Sequence, residues 1–336
     1  MTLTFAPYTA ALAGEWDEFV RDYSRNGIIF HERNFLGYHA EGRFADRSLV
    51  FRSGTRLHGV LPAAESTTQN GTAAIISHPG SSAGGLIFHR HAILREVLGM
   101  LEMAIQHYRA SGAAALELRL AEPIFAAPVD GELAFALWHR GFRLCTREVS
   151  SCVPLDAAAA WLEFGREKNP GTIRTLIKKG VVAERTEDAD LVYTLIERNL
   201  DQRYQKHPTH TRAEFAELKR RYPARMDLWI VRVGGEAVAT CVLFQAGRGT
   251  LHDFYIAQNY SFAKLNVMPL LFYTAFAHYQ QAGFRWFNFG ISSRGDWIKW
   301  GILEFKERLG GRAVLRDVWR LDDLANYQPY QEKASS

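Results

Sequence analysis

The sequence predicts an α/β protein built from two similar domains, and three observations support this prediction. The chain has 336 residues, enough for about two domains of ordinary size. Apolar residues make up 47% and charged residues 23%, which excludes disorder, collagen and coiled coil as the main architecture. Each half also shows the same order of predicted elements: a β-hairpin, a long helix, Gly-Phe-Arg and a strand.

The elements of the first half follow from hydrophobic spacing and from turn residues. Apolar residues at helical spacing predict helices, whereas short alternating or continuous apolar runs predict strands. Ser53-Gly54 lies between two such runs and predicts a hairpin. In chain order the predicted elements are a helix at 13–23, strands at 49–52 and 57–64, a helix at 91–110, a strand at 115–120, a helix at 132–139 and a strand that ends near Val153.

The second half repeats this order. Gly234-Gly235 predicts a second hairpin, and Arg232-Val233-Gly234 matches Arg52-Ser53-Gly54 at the equivalent place. Asn169 and Pro170 form a typical helix start. The later predicted elements are helices at 189–205 and 212–222, strands at 229–233, 237–245 and 250–256, a helix at 265–282, a strand that ends at Phe289, a helix at 298–308 and a strand at 313–319.

The domain boundary is predicted near Asp156, where a strand gives way to an alanine-rich stretch. We therefore expect a first domain at 1–155, a second domain at 156–325 that carries most of the candidate site residues, and a polar tail at 326–336. Each domain is expected to be a mixed, mostly antiparallel sheet flanked by helices.

Composition excludes several classes of protein. Lys and Arg number 40 against 36 Asp and Glu, a net charge of +4, which is too small for a protein that coats nucleic acid. The three cysteines match no zinc spacing and the histidines are dispersed, so we expect no metal. No run reaches the ~18 apolar residues of a membrane helix, and the N-terminus lacks a signal sequence. We expect a protein of the reducing cytoplasm with no membrane span.

Three motifs in the second half resemble a known family. They are HDFYIAQNYSFAKLN from His252, GFRWFNFG from Gly283 and GILEFKERLGG from Gly301. With the stretch SHPGSSAGG from Ser77, their order resembles the Fem family, the tandem-GNAT transferases that build peptidoglycan bridges. The resemblance implies two tandem GNAT-like domains. It also implies an acyltransferase that moves an aminoacyl or other acyl group from an activated donor to an amine, forming an amide.

Lys306 is the first candidate catalytic residue, because the resemblance places a functional lysine in this F-K-x-x-x-G position. A fixed cation there can stabilise a developing oxyanion or hold a donor phosphate. Phe305, its neighbour in the same motif, is a candidate for substrate binding. The alternative for Lys306 is a solvated helical lysine paired with Glu304 or Glu307.

A cluster of basic residues begins the second domain. Between Gly165 and Gly180 there are five basic residues and one acidic residue. Arg174 and Lys178 lie four residues apart and share a helix face, and we expect them to bind phosphates of a tRNA, a nucleotide-linked acceptor or CoA. The other basic residues are Arg166, Lys168 and Lys179, and the packed face is expected to contain Ile173, Leu176 and Ile177. A plain solvated helix face is the alternative.

Arg203 and Tyr204 are candidates for substrate binding at the end of the predicted helix 189–205. The Fem family carries a turn rich in arginine and tyrosine in this region, facing the acceptor. A capped helix end with an exposed cation is the alternative, because the helix dipole favours a cation there.

His252, Asp253 and Tyr255 are candidate catalytic residues on the strand that lines the reaction cleft in GNAT domains. One of them can serve as a base or proton shuttle for the attacking amine. A period of two puts His252 and Phe254 on one face and Asp253 and Tyr255 on the other. A half-buried strand with satisfied polar groups is the alternative.

The donor is predicted from a missing motif. Classical acetyl-CoA-binding GNAT domains cradle the pyrophosphate in a glycine-rich loop at a helix N-terminus, but residues 258–264 contain no glycine. We therefore expect no resident cofactor and favour aminoacyl-tRNA as the activated donor, with a small-molecule or nucleotide-linked amine as acceptor. An enzyme that uses acyl-CoA or an acyl-carrier protein is one alternative. A GNAT-fold binding module without catalytic activity is the other.

Overall fold

The structure is a computed structural model, and it describes residues 2–67, 71–127, 130–155 and 170–329, without the side chains of Pro170 and Tyr204. Contacts between residues divide the chain into two units. The first unit contains the residues up to Glu148 together with those from Leu315 onward, and the second unit contains Val149–Val314.

In the residues that the structure describes, the first unit combines strands of two sheets with four α-helices. Its strands are β1 (Leu3–Pro7), β2 (Leu49–Ser53), β3 (Arg56–Leu61), β4 (Ala64–Thr67), β5 (Ala73–Ser77), β6 (Ile87–Phe88), β7 (Ala115–Arg119) and the start of β8 (Arg143–Pro154). Its helices are α1 (Ala13–Glu18), α2 (Arg33–Leu36), α3 (Leu94–Ala110) and α4 (Glu132–His139). One sheet has the order β1-β2-β3-β6, and β4, β5 and β7 follow one another in the other sheet.

The core of the first unit forms around α3. Its apolar side chains recur every three or four residues, which places Val97, Leu101 and Ile105 on one face. All three are buried, in one cluster with Phe51 of β2 and Leu116 of β7. The residues that the apolar spacing selects in the sequence therefore form the face of α3 that packs against the core.

The second unit has a large sheet between two layers of helices, and a separate two-stranded hairpin at 293–298. Its elements are α5 (Pro170–Lys178), β9 (Val182–Thr186), α6 (Ala189–Tyr204), α7 (Arg212–Arg221), β10 (Met226–Val233), β11 (Glu236–Gly247), β12 (Thr250–Gln258), α8 (Met268–Gln281), β13 (Trp286–Ile291), β14 (Ser293–Arg294), β15 (Trp297–Ile298), α9 (Trp300–Arg308) and the start of β16 (Arg312–Leu321). The strand order is β8-β13-β12-β11-β10-β9.

The two faces of this sheet have different neighbours. α6 lies against β11 and β12 on one face, and α7 contacts the same face through Tyr222 and Phe244. α8 packs on the other face, where Cys241 and Leu243 join its apolar cluster. α9 lies on the α8 side, because Phe305 contacts Phe272.

The neighbouring strands β12 and β13 are paired over only three residues each. They pair in parallel from Thr250–Trp286 to His252–Asn288, and the pairing then ends. β12 remains paired with β11 as far as Gln258. Beyond His252, the edge of β12 that faces β13 is therefore open.

Most predicted elements are present, and the differences have physical reasons. The predicted helix at 13–23 continues from α1 as a π-helical turn, Phe19–Tyr23. The predicted strand at 57–64 divides into β3 and β4. Strands β1, β5, β6, β9, β14 and β15 were not predicted, because each has five residues or fewer and so shows no clear period in its apolar residues. None of the helices described above has both the length and the apolar character that a membrane crossing requires.

The last strand does not follow the predicted domain boundary. The sequence predicted that residues 156–325 form one domain, whereas the residues from Leu315 onward belong to the first unit. Val318 to Leu321 of β16 pair antiparallel with Leu116 to Arg119 of β7. This pairing accounts for the place of β16 in the first unit. The position of the strand late in the sequence gave no sign of the pairing.

Candidate active site

A cavity of about 400 Å³ lies beside the part of β12 that has separated from β13. Its walls come from four elements and the segment before α8. The lining residues are Asn199, Leu200, Arg203, Ile256, Ala257, Gln258, Tyr260, Ala263, Asn266, Met268, Gly301, Ile302, Phe305, Lys306 and Arg308. The open edge of β12 thus borders a cavity whose other walls come from α6, the N-terminal region of α8 and α9.

The charge of this cavity has one sign. Arg203, Lys306 and Arg308 line it, and the described lining residues include no acidic side chain. Tyr260 and Phe305 add aromatic surface. Such a lining suits a ligand with negatively charged groups and a flat or apolar part.

Lys306 is buried, with 4% of its surface exposed. Its Nζ donates hydrogen bonds to the carbonyl oxygens of Gly290, at 2.8 Å, and Ile291, at 3.0 Å. These carbonyls follow the point where β12 and β13 part, so the ammonium supplies donors where the ladder has ended. The alternative of a solvated surface lysine is therefore wrong.

Asp253 is a buried carboxyl close to this ammonium, at 8% exposure. Burial raises its pKa well above the usual range, and the positive charge of Lys306 opposes that rise. No described residue forms a hydrogen bond with its Oδ1. A carboxyl whose pKa is raised in this way stays protonated at pH values where an exposed carboxyl is ionised, and it can therefore donate or accept a proton in a reaction.

A β-bulge changes the predicted faces of β12. Val242 pairs with Tyr255 and Leu243 pairs with Asp253, so Phe254 is an extra residue. A bulge of this kind turns two successive side chains toward the same side. The prediction that Asp253 and Tyr255 share a face is therefore wrong.

Contacts show which face each residue occupies. The Tyr255 hydroxyl lies 2.7 Å from His210 Nδ1, and the Phe254 ring is 4.9 Å from the His210 ring, on the α7 side. His252 pairs with Phe244 of that face, and its ring lies beside Gly290. Asp253 alone of the three candidates lies on the α8 side, with Lys306.

The sequence analysis did not select His210, whereas two of its candidates, Arg203 and Phe305, line the cavity. Arg203 lies over the Tyr260 ring at 5.1 Å and donates a hydrogen bond to its hydroxyl. His210 immediately precedes Thr211, the N-cap residue of α7. The sequence there indicates the start of a helix and gives no sign of the contact between His210 and β12. The side chain of Tyr204 lies outside the described residues.

The predicted basic cluster lies apart from the cavity. Arg174 and Lys178 are exposed on α5, and neither lines the cavity. Ile177 is also exposed, so only Ile173 and Leu176 form the expected packed face. Arg166 and Lys168 lie outside the described residues.

A second cavity, of about 520 Å³, lies in the first unit. The Arg33 guanidinium lies 3.5 Å from the Tyr8 ring centre and pairs with Asp46. Burial raises the pKa of Asp17 to about 6 and lowers the pKa of His78 to about 4. The lining residues are spread from Tyr8 to His78, so no motif indicated this cavity. Within the described ranges, no group of three or more His, Cys, Asp or Glu residues is placed to hold a metal ion.

Comparisons with known proteins agree with this geometry. Residues 171–307 match the family model of an acetyltransferase (GNAT) domain. FemX has 13% identity, with 96% of this chain and 97% of that chain covered at a TM-score of 0.70. A tandem GNAT protein from the clavulanic acid biosynthesis pathway has 15% identity, with coverage of 98% and 100% at 0.54.

A third structure is L-PGS from Bacillus licheniformis, with 12% identity, coverage of 93% and 91%, and a TM-score of 0.57. No curated protein matches the sequence. At these identities, the structural likeness shows the fold. The chain therefore has the tandem GNAT-like fold that FemX represents, and residues 171–307 of its second unit match the model of an acetyltransferase (GNAT) domain.

Proposed function

We propose that this protein transfers an aminoacyl group from an activated ester to an amine and so forms an amide. The observation that supports this most directly is the cavity beside β12, with three cationic side chains and no acidic one among its described lining. That lining suits the phosphates of a large carrier. The motif around Phe305 and Lys306, which resembles the Fem family, favours a tRNA as that carrier.

The segment before α8 supports the same choice. Residues 258–264 contain no glycine, and a 3₁₀ helix, Tyr260–Leu265, occupies this place. Tyr260 itself lines the cavity. Side chains therefore stand where a glycine loop would let backbone N–H groups approach a CoA diphosphate.

The chemistry needs positioning, charge and one proton path. The amine nitrogen bonds to the ester carbonyl carbon, the carbon–oxygen ester bond breaks, and the proton lost by the amine goes to the leaving hydroxyl. The Lys306 ammonium stabilises negative charge that develops at the carbonyl oxygen, and the Asp253 carboxyl relays the proton. Because the ester is already activated, no covalent enzyme intermediate is needed.

The test compares donors. Transfer is measured from charged tRNA and from acetyl-CoA to a mixed pool of small and nucleotide-linked amines, at low and high salt. Binding through several phosphates weakens steeply with salt, because counterions are released. We expect salt-sensitive transfer from charged tRNA and little transfer from acetyl-CoA.

An acyl-CoA-dependent N-acyltransferase is the second candidate, because the matching family model describes an acetyltransferase. Efficient transfer from acetyl-CoA with little salt dependence would establish it in place of the first. Inactivity with both donors would contradict both candidates and leave an acyl-carrier protein as donor, or a binding module.

A further inference from the structure

The hairpin of β14 and β15 presents two indoles to solvent. Trp297 and Trp300 are each 62% exposed, the highest value among the large apolar residues that the structure describes in the second unit. Within the described residues, neither ring packs against another aromatic ring or a cation. Large aromatic side chains left in solvent in this way mark an interaction surface.

Two cationic residues flank the Trp297 indole along the chain. Arg294 pairs with Trp297 across the hairpin, and Lys299 is the N-cap residue of α9. Neither cation forms an ion pair with a described residue, and Asp296 is the only acid between them. The first N–H groups of α9 lack acceptors within the helix, and its dipole is positive at this end. The surface therefore combines stacking faces with groups that bind phosphate.

The surface continues into the cavity. Trp300 begins α9, and the next two residues, Gly301 and Ile302, line the cavity together with Lys306. The two indoles therefore lie beside the segment that forms one wall of the cavity, within reach of a partner whose end enters it. Aromatic faces beside cations are the chemistry that binds single-stranded nucleic acid, with about 1–3 kcal/mol for each stacked base.

We propose that Trp297 and Trp300 stack unpaired bases at the 3′ end of the donor RNA, while Arg294, Lys299 and the N-terminus of α9 hold its phosphates. This inference rests on the proposed function, in which that RNA carries the activated ester. A membrane surface also recruits tryptophan beside cations. Continuity with a cationic cavity favours a strand whose end must enter it.

The experiment measures binding of two uncharged RNA hairpins, one with a four-nucleotide single-stranded 3′ tail and one with a blunt end. Wild-type protein should bind the tailed RNA more tightly. W297A/W300A should lose this preference through a loss of at least about 5-fold in affinity for the tailed RNA, the equivalent of one stacked base. W297F/W300F should keep most of it, because a phenyl ring still stacks.

Trp138 provides a matched control, since it is 64% exposed on α4 of the first unit, and W138A should bind both RNAs like the wild type. Equal binding of both RNAs by wild-type protein, or an unchanged preference in W297A/W300A, would overturn the inference. The inference would also be overturned if the protein bound phosphatidylglycerol vesicles through both indoles but showed no preference for the RNA with the single-stranded tail.

Transfer from the tailed RNA after charging with an amino acid reports on the proposed function separately. Transfer by the wild type, with an unchanged Michaelis constant in W297A/W300A, would overturn only the inference. A raised Michaelis constant with an unchanged turnover number would support it. Tail-dependent binding without any transfer would support the stacking surface and contradict the proposed function.

Discussion

Single residues decide the chemistry of the cavity, and Lys306 shows how one side chain serves both structure and charge. Its ammonium holds the carbonyls of Gly290 and Ile291 where β12 and β13 part. The same positive charge lies at the wall of the cavity. Stability and activity are therefore linked at this position.

K306A should lower the turnover number about 10²–10³-fold, the range for the loss of one oxyanion donor. It should also lower the free energy of unfolding by about 1–3 kcal/mol, because buried carbonyls lose their donors. K306R should restore activity only in part, since a planar guanidinium does not replace a point charge. Steady-state kinetics and urea unfolding measure both effects. K264A, which changes an exposed lysine outside the cavity, is the control, and wild-type turnover in K306A would contradict the prediction.

Asp253 should make stability depend on pH. Because burial raises its pKa in the folded protein, the folded state binds the proton more tightly than the unfolded state. Its contribution to stability is complete below the unfolded pKa of about 3.9 and decreases as pH rises toward the folded pKa. D253N cannot titrate, so its stability relative to wild type should increase from pH 4 to pH 8 in urea unfolding. A difference that stays constant over this range would rule out the raised pKa.

Elements explain which parts of the site the sequence could predict. Hydrophobic spacing located β11, β12, α8 and α9 because their apolar runs are long. The motif that contains Phe305 and Lys306 pointed to residues that do line the cavity. The bulge at Phe254 was not predictable, because an extra residue in a strand leaves no mark in a short alternating pattern.

Y255F tests the consequence of this bulge. Tyr255 lies on the α7 side, with its hydroxyl on His210, whereas Lys306 lies on the α8 side. The variant should lose about 0.5–1.5 kcal/mol of stability with the lost hydrogen bond and keep its turnover number. Y193F is a matched control, because the Tyr193 hydroxyl also donates to His210, at the carbonyl, over 2.9 Å. A large fall in turnover at unchanged stability would instead place Tyr255 in the reaction.

At the scale of the whole molecule, the chain passes between the units twice, between Glu148 and Val149 and again between Val314 and Leu315. The sequence suggested a single boundary because its composition changes once. The second passage lies inside β16, where the composition stays that of an ordinary strand. Only the pairing with β7 identifies it.

A fragment of residues 1–155 should therefore fold incompletely. It lacks β16, one of the two strands that pair with β7, and the buried side chains of Leu321, Leu324 and Tyr327. Addition of a peptide of residues 312–329 should restore near-UV circular dichroism and a cooperative thermal transition, and the same peptide with Leu321 and Leu324 changed to Asp should not. Cooperative unfolding of the fragment alone would contradict the role of β16.

The late position of β16 also has a consequence during synthesis. About 200 residues separate β7 from its strand partner, and at ~5–20 residues per second a ribosome needs about 10 to 40 s to make them. The second unit is complete in sequence before the first unit, although the first unit starts earlier. Throughout that interval the edge of β7 lacks its partner, and unpaired strand edges attract other chains. Nascent copies on one messenger RNA are therefore most exposed to aggregation through their N-terminal half, which is where a chaperone would need to bind.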